Sequence, residues 1–149
     1  MAFIRIVRTS PLTASGAWRC VTDWERHGAL VPLTRTVLLT PPPTGPGSRF
    51  TARTGLGPAV FDDPMEVTVW RPPAGDAAGA AAGLVRLEKR GRWVTGWAEI
   101  GVLPVTGGCV VEWHEELRVR GVPRAGDPLL AGAGRAVFGR ALTTLLRTP

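Results

Sequence analysis

Tyrosine is absent from this chain of 149 residues, lysine occurs once, and cysteine and histidine occur twice each. Each scarcity excludes a class of chemistry. Cys20 and Cys109 lie far apart, whereas a disulfide framework or a zinc site needs more ligands at closer spacing. Both read as small buried hydrophobes. Neither His27 nor His114 has a local partner that suggests an activated nucleophile, so no Ser/His/Asp or Cys/His triad is expected. Gly55-Leu56-Gly57 lacks the following Lys-Ser/Thr and the helix start of a phosphate loop, and no dinucleotide fingerprint is present. No metal and no cofactor are therefore expected. Long apolar runs are missing too: no stretch approaches the roughly 20 residues that span a bilayer. Met1–Ser10 carries Arg5 and Arg8 and has no signal-peptide core. These readings predict a cytoplasmic protein without a membrane span.

Apolar residues and arginine are abundant. A hydrophobic content of 44% with 20% charge excludes a disordered or collagen-like chain. The length fits one domain over residues 1–149, enough to bury a core. The net charge is +6, but the basic residues are scattered in runs no longer than two, and Lys89 is the only lysine among 18. With much Ala, Gly and Pro, this bias reads as coding composition and a solvated surface, and it disfavours nucleic acid as a partner.

Ala2–Thr9 has the branched residues of a strand. Ser10-Pro11 predicts a helix start, Ser as N-cap and Pro in the first turn, and a second short helix should run from about Asp23 to Leu30. Strands are predicted over Thr34–Thr40, Ser48–Thr54 and Met65–Trp70. In the last of these, Met65, Val67 and Val69 alternate with Glu66, Thr68 and Trp70. Gly55–Asp63 reads as a looped approach, with Asp62-Asp63 as capping or turn acids. Arg71–Gly83, rich in Ala, Gly and Pro, reads as a mobile hairpin tip. Three more strands follow, Leu84–Lys89, Arg92–Leu103 and Cys109–Arg120, and then a long helix, Pro128–Arg147. Its stripe is Leu130, Gly134, Phe138, Ala141 and Leu145.

Turn chemistry proposes registers. A two-residue turn at Arg90-Gly91 would pair Lys89 with Arg92 and Leu87 with Val94. A turn at Val105–Gly108 would pair Val102 with Val111, Ile100 with Trp113, Ala98 with Glu115 and Gly96 with Leu117. Both put Val85, Leu87, Val94, Ala98, Ile100, Val102, Val111, Trp113, Leu117 and Val119 on one face. Glu99 opposite His114, Thr95 opposite Arg118 and Trp97 opposite Glu116 then face outward. Glu115 breaks the pattern by sitting on the apolar face, where a carboxylate is costly unless paired. It is either a satisfied core residue or a polar anchor or acid/base group in a pocket. The layout is α+β: a sheet with one apolar face, two small helices near the start and a long helix to cover it.

At this point the sequence resembles a known family. The order of one strand, two short helices, six strands and a long helix is that of the START/Bet v 1-like (SRPBCC) helix-grip superfamily. Thr22-Asp23-Trp24-Glu25-Arg26-His27 with Val31-Pro32-Leu33-Thr34 looks like its polyketide cyclase/dehydrase and lipid-transport branch. Gly55-Leu56-Gly57-Pro58, Phe61–Val67 and Gly91–Glu99 look the same way. The resemblance implies a curved antiparallel sheet of about seven strands wrapped on the C-terminal helix, with a hydrophobic cavity between them. Small residues such as Gly96 and Ala98 would enlarge that space.

On this reading the protein binds a hydrophobic, lipid- or polyketide-like small molecule. Trp113, Ile100, Val102, Leu117, Phe50, Val67 and Phe138 would line the cavity. Arg35, His27 and Glu115 would supply polar contacts, although Trp113 could equally be core and His27 could simply face solvent. The alternative is a polyketide cyclase or dehydratase with Glu115 as acid/base, helped by Arg35 or His27. A third reading is an adaptor for an anionic partner, and outward-facing Trp93 and Trp97 leave a homodimer open. The missing tyrosine and the few polar groups on the inner face depart from an aromatase-type pocket.

Overall fold

Alternation of apolar and polar residues sets one face of each strand inward, and the computed structural model, which describes residues 1–147, shows where those faces meet. The last two positions of the expected 1–149 domain lie outside the described residues. Strand β1 (Ala2–Ser10) is followed by helices α1 (Ala14–Val21) and α2 (Trp24–Leu30). Strands β2 (Thr34–Leu38), β3 (Arg49–Leu56), β4 (Ala59–Arg71), β5 (Gly83–Arg90), β6 (Val94–Val105) and β7 (Gly108–Val119) come next, and helix α3 (Asp127–Arg147) closes the order. The seven strands form one antiparallel sheet in the order β1-β7-β6-β5-β4-β3-β2. This is a helix-grip α+β architecture.

Local chemistry accounts for the helix starts, with one correction. Ser10 does not cap α1; it ends β1, and its hydroxyl accepts the Leu12 N–H at 3.1 Å. The cap is Thr13, whose side chain accepts the Gly16 N–H at 3.0 Å, so Pro11 belongs to the link. Asp23 caps α2 as expected, accepting the Arg26 N–H at 3.2 Å. The Ala- and Gly-rich connection between β4 and β5 is fastened to α1: Asp76 accepts the Ser15 N–H at 2.8 Å.

The β6–β7 register is the predicted one, with Ile100 opposite Trp113, Ala98 opposite Glu115 and Gly96 opposite Leu117. The β5–β6 register differs: Lys89 pairs with Gly96 and Leu87 with Ala98. Arg90-Gly91 is not a two-residue turn, because neither residue takes the positive φ that a type I′ turn requires. The chain instead runs to Arg90↔Thr95 before pairing begins. The slip is four residues, an even number, so every inward assignment survives. A bulge between Val67 and Val69 has the opposite effect on β4. It turns Trp70 off the expected outer face to pack on Trp18, ring centroids 5.1 Å apart. Gly55–Asp63 is no loop either, since β3 and β4 pair down to Leu56↔Ala59 around Gly57-Pro58.

The core lies on the concave face. Ile4, Val67, Val85, Ile100, Val102, Val111, Leu142 and Leu145 are fully or almost fully buried there with Trp18, Trp24 and Trp113. Contrary to the expectation that no stretch approaches that length, helix α3 with the turn before it is long and apolar enough to cross a membrane by length and composition. Here it buries Ala131, Ala141, Leu142, Leu145 and Leu146 in the domain. Cys20 and Cys109 are buried free thiols.

Candidate functional site

Strand alternation brings three charged side chains together on the concave face. Glu115 of β7 lies across from Ala98 and Ile4 and is 2% exposed. Lys89 shares the inward parity of Val85 and Leu87 on β5, and its side chain is only 6% exposed. Asp63 of β4, opposite Ala52, is 9% exposed. The Lys89 ammonium bonds Asp63 Oδ2 at 2.8 Å, sits 3.2 Å from Glu115 Oε1, and reaches Met65 Sδ at 3.8 Å. Trp113 Nε1 donates to Glu115 Oε2 at 3.1 Å. Both oxygens of Glu115 are thus engaged.

Burial alone would lower the lysine pKa. Attraction to Glu115 and Asp63 outweighs it and holds the ammonium above the ordinary 10.5. Lys89 is therefore a fixed cation, and a lysine kept protonated is no nucleophile. Replacing such a cluster by apolar groups is often neutral or stabilising, so its presence is weak as a device for stability.

Two aromatic stacks flank the cluster. Trp113 stacks on Phe138 of α3 with centroids 5.3 Å apart, and Trp24 of α2 stacks on Phe50 at 4.9 Å. His27 is wedged between the rings of Trp24 and Trp113, at 5.6 and 5.4 Å, and does not face solvent freely. Its Nε2 lies 2.6 Å from the Val21 carbonyl oxygen. A carbonyl only accepts, so the neutral ring carries its proton on Nε2. Burial lowers this imidazole from 6.5 to about 4, against the opposing pull of the Val21 bond.

Of the residues named from sequence, Glu115, Trp113, Phe138, Phe50 and His27 meet around this centre. Ile100, Val102, Leu117 and Val67 are closely packed in the same core. Arg35 is not brought to it. Arg35, Arg53 and Asp62 form a cross-strand row on the other face, where Arg53 grips Asp62 through two bonds of 2.7 and 3.1 Å. Arg35 and Arg53 instead border an open groove of about 540 Å3 between the end of α2, the Val31–Leu33 link and the β3–β4 turn. The outward pairs sit opposite one another as expected, Glu99 with His114, Thr95 with Arg118 and Trp97 with Glu116, while the Glu99 carboxylate accepts from Arg86 at 2.6 Å and His114 bonds Glu112 at 2.6 Å. Arg86 covers Trp97, and Arg120 lies over Trp93.

Sequence reasoning missed Lys89 and Asp63. The signal for Lys89 was present, since it continues the inward alternation of Val85 and Leu87. Asp63 was hidden because Asp62-Asp63 looked like a turn, whereas adjacent strand residues face opposite ways.

Hydrogen bonding is incomplete at three buried side chains. Among the described residues, Asp63 Oδ1, Trp24 Nε1 and Thr51 Oγ1 are buried without a hydrogen-bond partner. Thr51 alternates with Phe50 and Ala52 and so lies on the convex side, while the other two belong to the concave face.

The chain has the helix-grip fold of START/Bet v 1-like proteins. No protein-family model matches it, and no curated protein is significantly similar in sequence. Among solved structures, Ara h 8.0201 superposes with a TM-score of 0.63 at 10% identity, covering 98% of each chain. TTHA0849 from Thermus thermophilus gives 0.67 at 14% identity, over 97% of this chain and 93% of that one. The di-domain ARO/CYC StfQ from the steffimycin biosynthetic pathway gives 0.69 at 9% identity, over 98% of this chain and 49% of StfQ. At such identities the likeness defines the fold alone.

Proposed function

We propose that this protein binds a hydrophobic small molecule, lipid- or polyketide-like, on the concave face between α3 and the sheet, with the Lys89–Asp63–Glu115 cluster as polar anchor. The observation that carries this reading is the cluster itself: three charged groups at the centre of an otherwise apolar face. Desolvating them costs several kcal/mol each before their mutual attraction is counted. A few convergent polar groups among apolar and aromatic walls are also the usual make-up of a small-molecule site. The aromatic neighbours Trp113, Phe138, Phe50 and Trp24 would pack on the ligand body, and the expected setting is a single cytoplasmic domain.

Cyclisation or dehydration with Glu115 as acid/base is the second reading, suggested by the likeness to StfQ. The geometry favours holding over turnover, because Trp113 and Lys89 already occupy both Glu115 oxygens.

Native mass spectrometry of freshly purified protein tests the binding reading. A discrete added mass that disappears on denaturation is expected, and Lys89→Met should abolish it. Only the bare mass, before and after exposure to apolar candidates, would count against a ligand site. For the catalytic alternative, an unchanged product profile with Glu115→Gln would remove Glu115 from that role.

A further inference from the structure

The cluster has a hydrogen-bond valence that selects the chemistry of its ligand. Lys89 has three N–H groups, and three partners surround it: Asp63 Oδ2, Glu115 Oε1 and Met65 Sδ. Glu115 accepts from Lys89 and Trp113. The one oxygen left over is Asp63 Oδ1, buried and unpartnered. The cluster therefore offers an inserted head group an acceptor and no spare donor.

A donor without a partner lies on α2. Trp24 is 5% exposed, and its Nε1 is also unpartnered. Trp24 stacks on Phe50, Phe50 pairs across the sheet with Met65, and Met65 touches Lys89, so a chain of contacts links the residues that carry the two orphans. Leaving such groups unsatisfied is expensive, which makes them a specification for whatever binds.

Resting on the ligand-binding reading above, we infer that the bound molecule is hydroxylated: an otherwise apolar alcohol or phenol that donates to Asp63 Oδ1 and accepts from Trp24 Nε1, through one hydroxyl or two. A hydroxyl both donates and accepts. An alkylammonium only donates and leaves Trp24 unserved. A carboxylate only accepts, and it would set a second negative group against Asp63 with no proton between them.

Isothermal titration with three probes of equal chain length, decan-1-ol, decylammonium and decanoate, tests the inference. The alcohol should bind at least about tenfold more tightly than either ion, the size expected from leaving one buried polar group unpaired. Trp24→Phe keeps the ring on Phe50 but removes the donor, and it should erase most of the advantage of the alcohol over the ammonium. Asp63→Asn presents an amide in place of the carboxylate and should narrow the gap between alcohol and decanoate. Equal binding of all three probes would overturn the hydroxyl assignment while leaving the ligand-binding reading intact. Preference for decanoate would overturn it likewise. No binding of any probe would remove both.

Discussion

Lys89 carries more of the account than any other residue, because its loss leaves two buried carboxylates facing each other. Lys89→Met should lower the unfolding free energy by about 3–5 kcal/mol, the cost of breaking a buried pair from one side, measured by urea denaturation. Little change would mean that the cluster is solvated in solution. His27 gives a second residue-scale prediction. Its folded pKa of about 4 lies below the ordinary 6.5, so between these values the unfolded chain binds the proton and the folded protein does not. Stability is therefore lost as pH falls from about 6.5 to 4, by at most about 3 kcal/mol and less to the extent that the ring keeps some exposure. His27→Gln retains a donor for the Val21 carbonyl and should be less acid-sensitive over that window than the parent. Parallel slopes for the two proteins would show that His27 is not the group responsible.

At the scale of elements, two glycines separate space from conformation. Gly96 was expected to enlarge a cavity, but its role is backbone: φ is 132°, and an added Cβ would fall on the Glu116 carbonyl oxygen. Gly96→Ala should cost at least about 2 kcal/mol, through backbone strain and a collision with main chain that cannot yield. Gly132 of α3 has nothing within 4 Å of an added Cβ, so Gly132→Ala should stabilise by about 0.5–1 kcal/mol through helix propensity. Thermal unfolding of the two variants checks both signs. Strand and helix order, the β6–β7 register and the inward face were legible because alternation and the turn before Gly108 are local signals. The β5–β6 register was not, since Arg90-Gly91 has the composition of a tight turn without its conformation. Trp70 was misplaced because no sequence feature announces the bulge at Thr68. Glu115 stood out as an acid on an apolar face, but of its two partners only Trp113 lies on its own strand; Lys89 comes from β5, and only the assembled sheet brings it, with Asp63 of β4 bonded to it, to Glu115.

For the whole molecule, a curved sheet closed by α3 leaves one concave surface, and nearly everything chemically unusual in the chain converges on it. The convex side carries solvated ion pairs, with Arg5 on Glu112 and Arg53 on Asp62, and such exposed pairs contribute little to stability. That contrast is why the concave cluster, and not the arginine surface, anchors the functional reading. The chain's single lysine makes a direct test available. Protein labelled with 13C only at lysine gives one side-chain signal, that of Lys89. Its chemical shift should show no titration near 10.5 and should move saturably as decan-1-ol is added. A Lys89 signal that titrates as an ordinary lysine, or that stays unmoved at saturating alcohol, would contradict a buried charged anchor for a bound ligand.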